Sequence, residues 1–430
     1  MSRLRRYVSE HEFVRHFLTL LSGSAIAQAI PIAASVVLTR LYSPADYGVL
    51  ALYTSVITAV VTIAAWRYDV AIVLPRTDAE ARALMRLASR LVTATAAVVT
   101  VLMVALGGHV AEWLGAPGLA PWLYVAGLNI WILGQTQIYI SWLNRRKSYA
   151  TMSGSRLLQS AGTSGTQLAA GFARAGTPGL IGGTFVGQII GLALLARRSR
   201  PEPGEPRRGT RAETTGLARK YWRMPVLNGP TALIDAFRLN GINILIGRVF
   251  GNALLGQFSL AWRTVQAPLT LVNGALSQIY YQKFATTERG GMGTLTVWCV
   301  TRSAAFGVVP FAALFFVAEP AFGFVFGEQW RVAGRLAELL VPWLYLNFIT
   351  SPLSTVFLVV ERQAVSLVFS VAYMAAPLLT LLLVDASLER VVLLISLEMA
   401  ALLVVFIGLA LWVARDWDRR ASRPAPAGVV

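Results

Sequence analysis

Apolar runs long enough to cross a membrane recur along almost the whole of this sequence. A helix of about 20 apolar residues spans the ~30 Å hydrocarbon core of a bilayer. The composition agrees, since 56% of the residues are hydrophobic and 14% are charged, against about 25% charged in soluble domains. A β-barrel would instead show ~10-residue alternating segments. We therefore predict an all-α polytopic membrane protein with about 12 transmembrane helices, at residues 17–39, 47–66, 88–106, 120–142, 149–171, 177–196, 226–247, 253–281, 293–317, 336–358, 364–384 and 391–413.

One stretch between these runs has the composition of a linker. Arg197–Gly216 is rich in proline, glycine and charge, and it leaves six predicted spans on either side. We predict an N-terminal six-helix bundle at 1–196, a cytoplasmic linker at 197–216, a C-terminal six-helix bundle at 217–414 and a cytoplasmic tail at 415–430.

A turn in the first half is repeated in the second. "LTRLYSPADYGVLALY" begins at Leu38 and "IGRVFGNALLGQFSLA" at Ile246, with a constant offset of 208 residues. A weaker echo, "PWLY", opens the fourth span at Pro121 and the tenth at Pro342. Copies six spans apart have the same orientation, which predicts parallel repeats related by an axis along the membrane normal.

The basic residues predict the orientation. With loops assigned alternately to the two sides, 28 of the 38 lysines and arginines fall on the side of both termini and the linker, and six fall on the other. Positive loops stay in the cytoplasm, so we expect both termini and the linker on the cytoplasmic side of the membrane. The net charge of +17 is then topological, and no nucleic-acid partner is expected.

Enzyme and metal motifs do not fit. The sequence has no phosphate-binding G-x-x-x-x-G-K-[ST] loop. His11 and His16 in "HEFVRH" are five residues apart and cannot share a metal on one helix face. Asp416–Asp418 matches the metal-binding D-x-D of glycosyltransferases. It lies in a basic tail, which favours the interpretation as juxtamembrane charge instead. Cys299 is the single cysteine. We therefore predict no catalytic residue, metal or cofactor, and a protein that is not an enzyme.

Four arginines lie within the predicted spans. Arg238 and Arg263 are each about ten residues from a helix end, which places them ~15 Å deep. A central arginine costs ~2.5–3.5 kcal/mol and needs a partner or a wet cavity. Asp235 precedes Arg238 by one turn. An Asp235–Arg238 ion pair that only stabilises helix packing is therefore an open alternative to a role in the cavity. We predict that Arg156, Arg238 and Arg263 line an anion-binding cavity, whereas Arg302 is shallow enough to snorkel.

Polar side chains accompany these arginines in the spans: Gln159, Asn240, Asn243 and Gln266. Guanidinium groups match phosphate geometry, so such a cavity favours an anionic headgroup. A cationic substrate would instead need intramembrane carboxylates, for which Asp235 is the main candidate and Glu398 a shallower one.

Four stretches resemble the polysaccharide-biosynthesis, Wzx-like branch of the multidrug/oligosaccharidyl-lipid/polysaccharide (MOP) flippase superfamily: "SGSAIAQAIPIAASVVLTRLYSPADYGVLALYTSV", "WRYDVAIVLPRTDAEARAL", "RRKSYATMSGSRLLQSAGTSGTQLAAG" and "GQFSLAWRTVQAPLTLVNGALSQIYYQKF". The resemblance implies two six-helix bundles in a V around a cationic central cavity. Arg67, Asp69, Arg156 and Arg263 fall on positions typical of that family. For Arg67 and Asp69, beside Trp66 at the inner boundary, a headgroup contact and an interfacial ion pair are both open.

The resulting hypothesis is a flippase that moves an undecaprenyl-pyrophosphate-linked oligosaccharide to the periplasmic leaflet by alternating access. Its partners would be the lipid-linked oligosaccharide, the bilayer, and the glycan polymerase and glycosyltransferases of the same pathway. An ion-coupled drug or metabolite antiporter of the same superfamily is the first alternative. A membrane glycan polymerase or ligase is the second, although the longest outer loop, 318–335, is short for one.

Overall fold

The computed structural model describes residues 26–200, 211–287, 290–360 and 362–421. The regular structure in these ranges is helical. The helices are α1 (Ile26–Leu41), α2 (Pro44–Ala64), α3 (Tyr68–Ala71), α4 (Asp78–Trp113), α5 (Ala120–Tyr124), α6 (Ala126–Arg145), α7 (Tyr149–Phe172), α8 (Thr177–Arg198), α9 (Arg211–Lys220), α10 (Gly229–Phe250), α11 (Asn252–Thr286), α12 (Met292–Phe326), α13 (Arg331–Leu339), α14 (Val341–Thr350), α15 (Ser354–Val359), α16 (Gln363–Leu383) and α17 (Leu388–Ala421).

Helical segments cover all twelve predicted spans, apart from residues 17–25, which lie outside the described residues. By length and composition alone, five described helices can cross a membrane, or up to six if a bent pair is counted as one span. The bent pair corresponds to the predicted tenth span. It turns by 49° between Leu339 and Val341, next to Pro342, because proline lacks the N–H that a continuous helix needs.

The chain divides into two compact units, Met1–Gly256 and Gln257–Val430. In the first unit α4 packs on α6, α7 on α8, and α10 along α2. In the second unit α12 packs on α13, α14 and α17, and α16 packs on α17. The predicted bundles at 1–196 and 217–414 and the linker at 197–216 stay predictions.

A glycine stripe joins α7 to α8 in the first unit. A Cβ atom at Gly183 would lie 2.5 Å from Cγ of Gln167, and one at Gly187 would lie 2.5 Å from the carbonyl oxygen of Gln159. Only glycine permits this approach of two helices, a common arrangement in membrane proteins.

The start of α2 is a closed hydrogen-bonded cap. Pro44 occupies the first turn, the Ser43 hydroxyl accepts from the Asp46 N–H at 3.2 Å, and the Asp46 carboxylate accepts from the Ser43 N–H at 3.0 Å. Thr177 at the start of α8 donates to the same carboxylate at 2.6 Å. The carboxylate thus lies where the dipole at a helix N-terminus favours a negative charge.

The two copies of the repeated turn contact each other. A Cβ atom at Gly48 would overlap the carbonyl oxygen of Asn252, and one at Gly256 would overlap that of Pro44. With the offset of 208, Asn252 is the counterpart of Pro44, and Gly256 is the counterpart of Gly48. The first turns of α2 and α11 therefore meet reciprocally, as a local two-fold relation requires.

The "DWD" segment near the end of α17 is structural. Asp418 accepts hydrogen bonds at 2.8–3.1 Å from the backbone N–H groups of Gly290, Met292 and Gly293, at the start of α12. Asp416 pairs at 3.1 Å with Arg362. The segment supplies the anion that a helix N-terminus favours, which agrees with the interpretation as juxtamembrane charge.

Candidate functional site

The polar side chains of α10 have local partners. Asn243 Nδ2 donates to Ser55 Oγ on α2 at 3.0 Å, which ties the two helices together. Asn240 Nδ2 donates to the Ala236 carbonyl oxygen one turn back, at 2.8 Å. The side chains of Asp235 and Arg238 lie outside the described residues. Of the four predicted site residues on α10, the structure thus describes the side chains of two, Asn240 and Asn243.

Arg156 and Gln159 lie on different sides of α7. Gln159 is half-buried against α8, with its Cβ 3.2 Å from the position that a Cβ of Gly191 would take. Arg156, one turn earlier, is exposed. The close helix pair therefore orients Gln159 inward and leaves the Arg156 side chain at the surface of the first unit.

Aromatic side chains fix the orientation of α11 around Arg263. Trp262 packs between Phe258, at a centroid distance of 6.1 Å, and Trp343, at 4.9 Å. Trp343 Nε1 in turn donates to the Tyr373 hydroxyl at 2.6 Å. Because Trp262 is held on this packed side, the neighbouring residue faces elsewhere, and Arg263 is exposed.

Arg263 forms no ion pair with any residue of the described ranges. It lies eleven residues along α11 from Asn252, which is ~16 Å of helix. A cation at this depth without a protein partner needs water or an anion. Arg263 is thus the described predicted-site residue that best fits an anion-binding role.

Arg67 and Asp69 occupy the turn between α2 and α4. Trp66 and Arg67 have positive φ angles of 50° and 62°, and the Tyr68 hydroxyl donates to the Ala218 carbonyl oxygen at 3.1 Å. Asp69 is buried and its pKa is raised by loss of water, with the charge of Arg67 acting in the opposite direction.

No N···O contact of 4.0 Å or less joins Arg67 to Asp69 among the described residues, although the charge of Arg67 acts on the Asp69 carboxyl. The interfacial ion pair stays a prediction. Arg67 Nε is buried without a hydrogen-bond partner among the described residues. The headgroup contact at this turn stays a prediction.

Most of the sequence matches one protein family. The model of a family described as polysaccharide biosynthesis protein matches residues 37–334. The chain belongs to the polysaccharide biosynthesis protein family. A search of curated proteins finds no match for this family member.

Solved structures share the fold of this polysaccharide biosynthesis protein at low identity. A multidrug resistance MATE family transporter of the MOP superfamily, inward-facing, superposes with a TM-score of 0.71 at 13% identity, over 92% of this chain and 96% of that chain. The lipid II flippase MurJ, inward closed, has a TM-score of 0.71 at 11% identity, over 92% and 87%. An outward-facing MATE transporter has 0.53 at 13%, over 94% and 96%.

The family match confirms the predicted polysaccharide-biosynthesis family, and the solved structures confirm the predicted fold class. The family member is a multi-pass α-helical membrane protein, and the proteins it resembles in structure are transporters and flippases. The similarity extends over both predicted repeats, because more than nine-tenths of the chain is covered.

Sequence reasoning missed the polar contacts between helices, among them one made by Glu398. The Thr380 hydroxyl on α16 donates to Glu398 Oε2 on α17 at 2.6 Å. A carboxyl in a predicted span was a visible signal, but its partner belongs to another helix. Within the described ranges no cluster of three metal-ligating side chains occurs. The "HEFVRH" histidines lie outside those ranges.

Proposed function

We propose that this protein translocates a lipid-linked oligosaccharide, carried on undecaprenyl pyrophosphate, across the bacterial inner membrane for polysaccharide biosynthesis. Membership of the polysaccharide biosynthesis family supports the pathway. The fold supports a transporter that exposes its substrate site to each side in turn. The glycan polymerase and glycosyltransferases of the same pathway would be its functional partners.

The observation that carries this proposal is Arg263. It is exposed, it forms no ion pair within the described structure, and it lies eleven residues along α11 from Asn252. The lipid pyrophosphate is an anion that must pass the bilayer, and a guanidinium offers it two parallel hydrogen bonds. Binding of the substrate would thereby give an anionic partner to a charge that has none among the described residues.

The remaining predicted residues have graded roles in this proposal. Arg156 and Arg238 supply further positive charge for the pyrophosphate. Asp235, one turn before Arg238, offsets part of the positive charge of the cavity. Gln159, Asn240 and Asn243 would bind the proximal sugars through the amide atoms that their contacts within the protein leave unused. Arg67 and Asp69 meet the headgroup at the inner boundary, before it enters the path.

Sidedness follows from the distribution of charge. Positive loops predict cytoplasmic termini, so the substrate would enter at the ends of the helices near Arg67 and leave at the turn that contains Gly48. The lipid tail would stay in the bilayer throughout. No bond is made or broken in such a step, so the protein would act as a transporter and not as an enzyme.

A second candidate function rests on Glu398. An intramembrane carboxyl that is half-buried and bonded to Thr380 could take up a proton or bind a cation, as an ion-coupled drug or metabolite antiporter requires. In that case Asp235 and Glu398 would carry the chemistry, and the arginines would serve packing.

The test is export of surface glycan in a strain that lacks the chromosomal copy. Arg263→Ala should reduce export about 10- to 100-fold, since a charge-assisted hydrogen bond to a buried charged group contributes about 1.5–3 kcal/mol. Arg263→Lys should retain part of the export, because it keeps the charge but loses the bidentate geometry.

Arg390→Ala is the matched control, because Arg390 is an exposed arginine outside the predicted cavity. It should export glycan normally at equal protein level. Normal export by Arg263→Ala would contradict the anion site. Cationic-dye efflux by the wild type that disappears in Asp235→Asn or Glu398→Gln, with glycan export unaffected by the deletion, would support the antiporter instead.

A further inference from the structure

Two cations of the second unit share one tryptophan. Lys283 Nζ, near the end of α11, lies 4.0 Å from the ring centroid of Trp298 on α12. Arg302, one turn further along α12, places its guanidinium carbon 5.8 Å from the same centroid. Tyr280 meets the ring edge-on at 6.3 Å and its hydroxyl is hydrogen-bonded to Ser303 at 3.1 Å. The ring is therefore held in place between the two charges.

Neither cation is neutralised by a carboxylate of the described residues. Lys283 and Arg302 are exposed, and neither lies within 4.0 Å of a carboxylate of the described residues. Both are close to one ring centroid, so they are at most about 10 Å apart, within the Debye length at 0.1 M salt. The ring attracts each cation weakly but carries no charge of its own. Two like charges held this close favour an anion beside them.

The position of the cluster identifies the anion. Residues 303–318, which follow Arg302 on α12, contain no charged side chain, and their ~24 Å of helix accounts for most of the hydrocarbon core. Arg302 thus lies at the start of the uncharged stretch of α12, nine residues into the predicted span 293–317. Its guanidinium lies near Trp298, one turn closer to the helix start, so it can snorkel toward that end. Trp298 is 38% exposed, as in the aromatic belts at membrane interfaces.

We infer that Lys283, Trp298 and Arg302 form a binding site for the phosphate of an anionic glycerophospholipid in the surrounding membrane. Arg302 matches the phosphate oxygens in its planar fork, Lys283 adds a second positive charge, and Trp298 supports the glycerol region. The bulk lipid is the ligand because the site is exposed at the depth of its headgroups, where that lipid is most concentrated. The inference is independent of the transported substrate.

The experiment measures binding of phosphatidylglycerol to the purified full-length chain in detergent, by native mass spectrometry across a lipid titration. The double variant Lys283→Ala/Arg302→Ala should bind about 30-fold more weakly, at about one kcal/mol for each cation near an anionic lipid. The double variant Lys283→Arg/Arg302→Lys keeps both charges but moves the planar fork, so it should bind more tightly than the double alanine variant and more weakly than the wild type. Phosphatidylcholine, which has no net charge, should bind weakly to all of them.

The matched control is Arg90→Ala/Arg219→Ala, which removes two exposed cations of the same predicted side and should leave phosphatidylglycerol binding within about two-fold. An equal loss in this control would overturn the site in favour of general charge attraction. Unchanged binding by Lys283→Ala/Arg302→Ala would overturn it as well. A third outcome would also overturn the inference. If equimolar undecaprenyl diphosphate displaces phosphatidylglycerol from the wild type but not from Lys283→Ala/Arg302→Ala, the site belongs to the transported substrate.

Discussion

The substitution Gly48→Ala tests the reciprocal contact between the first turns of α2 and α11. The added Cβ would lie 2.9 Å from the Cα of Asn252 and closer still to its carbonyl oxygen. Backbone atoms cannot move aside by changing rotamer, so the two helices would have to separate by about 1.5 Å to restore van der Waals distance. The substitution therefore disturbs the helix pair and not one side chain.

The expected magnitude follows from two opposing terms. Overpacking of this kind costs about 1–3 kcal/mol, and rigid neighbours place it at the upper end. Alanine in place of glycine recovers about 0.5–1 kcal/mol of helix propensity. We expect Gly48→Ala to lower the free energy of unfolding by about 2 kcal/mol, and Gly256→Ala to do the same against Pro44.

The double variant distinguishes one shared contact from two separate ones. Once the helices have moved apart for the first alanine, the second needs little further separation. The combined loss for Gly48→Ala/Gly256→Ala should therefore fall well below the sum of the single losses. The free energy of unfolding is measured in mixed micelles with increasing denaturing detergent.

Gly182→Ala is the control, because a Cβ atom at that helix position meets nothing within 4 Å. It should leave stability unchanged or raise it by up to about 1 kcal/mol. Stability of Gly48→Ala equal to that of Gly182→Ala would refute the close crossing. Fully additive losses in the double variant would refute the shared contact.

Two further predictions concern sidedness and pH. A cysteine at Thr210 should resist a membrane-impermeant thiol reagent in intact cells while one at Gly118, which is exposed in the loop before α5, should react; the reverse pattern would invert the topology. Burial raises the pKa of Asp69 above its value in the unfolded chain. The folded state therefore binds the Asp69 proton more tightly, and the free energy of unfolding should fall as pH rises through and above the normal carboxyl range. Asp69→Asn should remove that slope in a pH series of thermal unfolding and raise stability at pH 7, and an unchanged slope would show that Asp69 is not its source.

Much of the architecture was predictable because it depends on local composition. Hydropathy places the spans, since a helix in lipid must satisfy its own backbone hydrogen bonds whatever its neighbours are. The repeat at Leu38 and Ile246 was visible in the sequence, and so was the glycine stripe of α8 at Gly183 and Gly187. The stripe also indicated close packing, because small side chains on one face serve little other purpose in a membrane helix.

The candidate site was less predictable, because its properties depend on which helices meet. The depth of Arg263 can be counted from the sequence, but its orientation depends on Trp262 packing against Trp343, 81 residues later. The proximity of Arg67 and Asp69 in sequence suggested an interfacial ion pair, whereas the left-handed backbone at Arg67 and the burial of Asp69 became visible only in the structure.

The sequence alone determined that this protein is helical and membrane-embedded, because apolar length acts within single segments. Loop charge and the repeated turn predict its orientation and its parallel halves. The tertiary structure decided which segments are partners. Lipid is as apolar as leucine, so hydrophobicity does not select one helix neighbour over another, and close packing and hydrogen bonds do. For that reason only the structure revealed that Gly48 meets Asn252, that Asn243 bonds Ser55, and that Lys283 and Arg302 share Trp298.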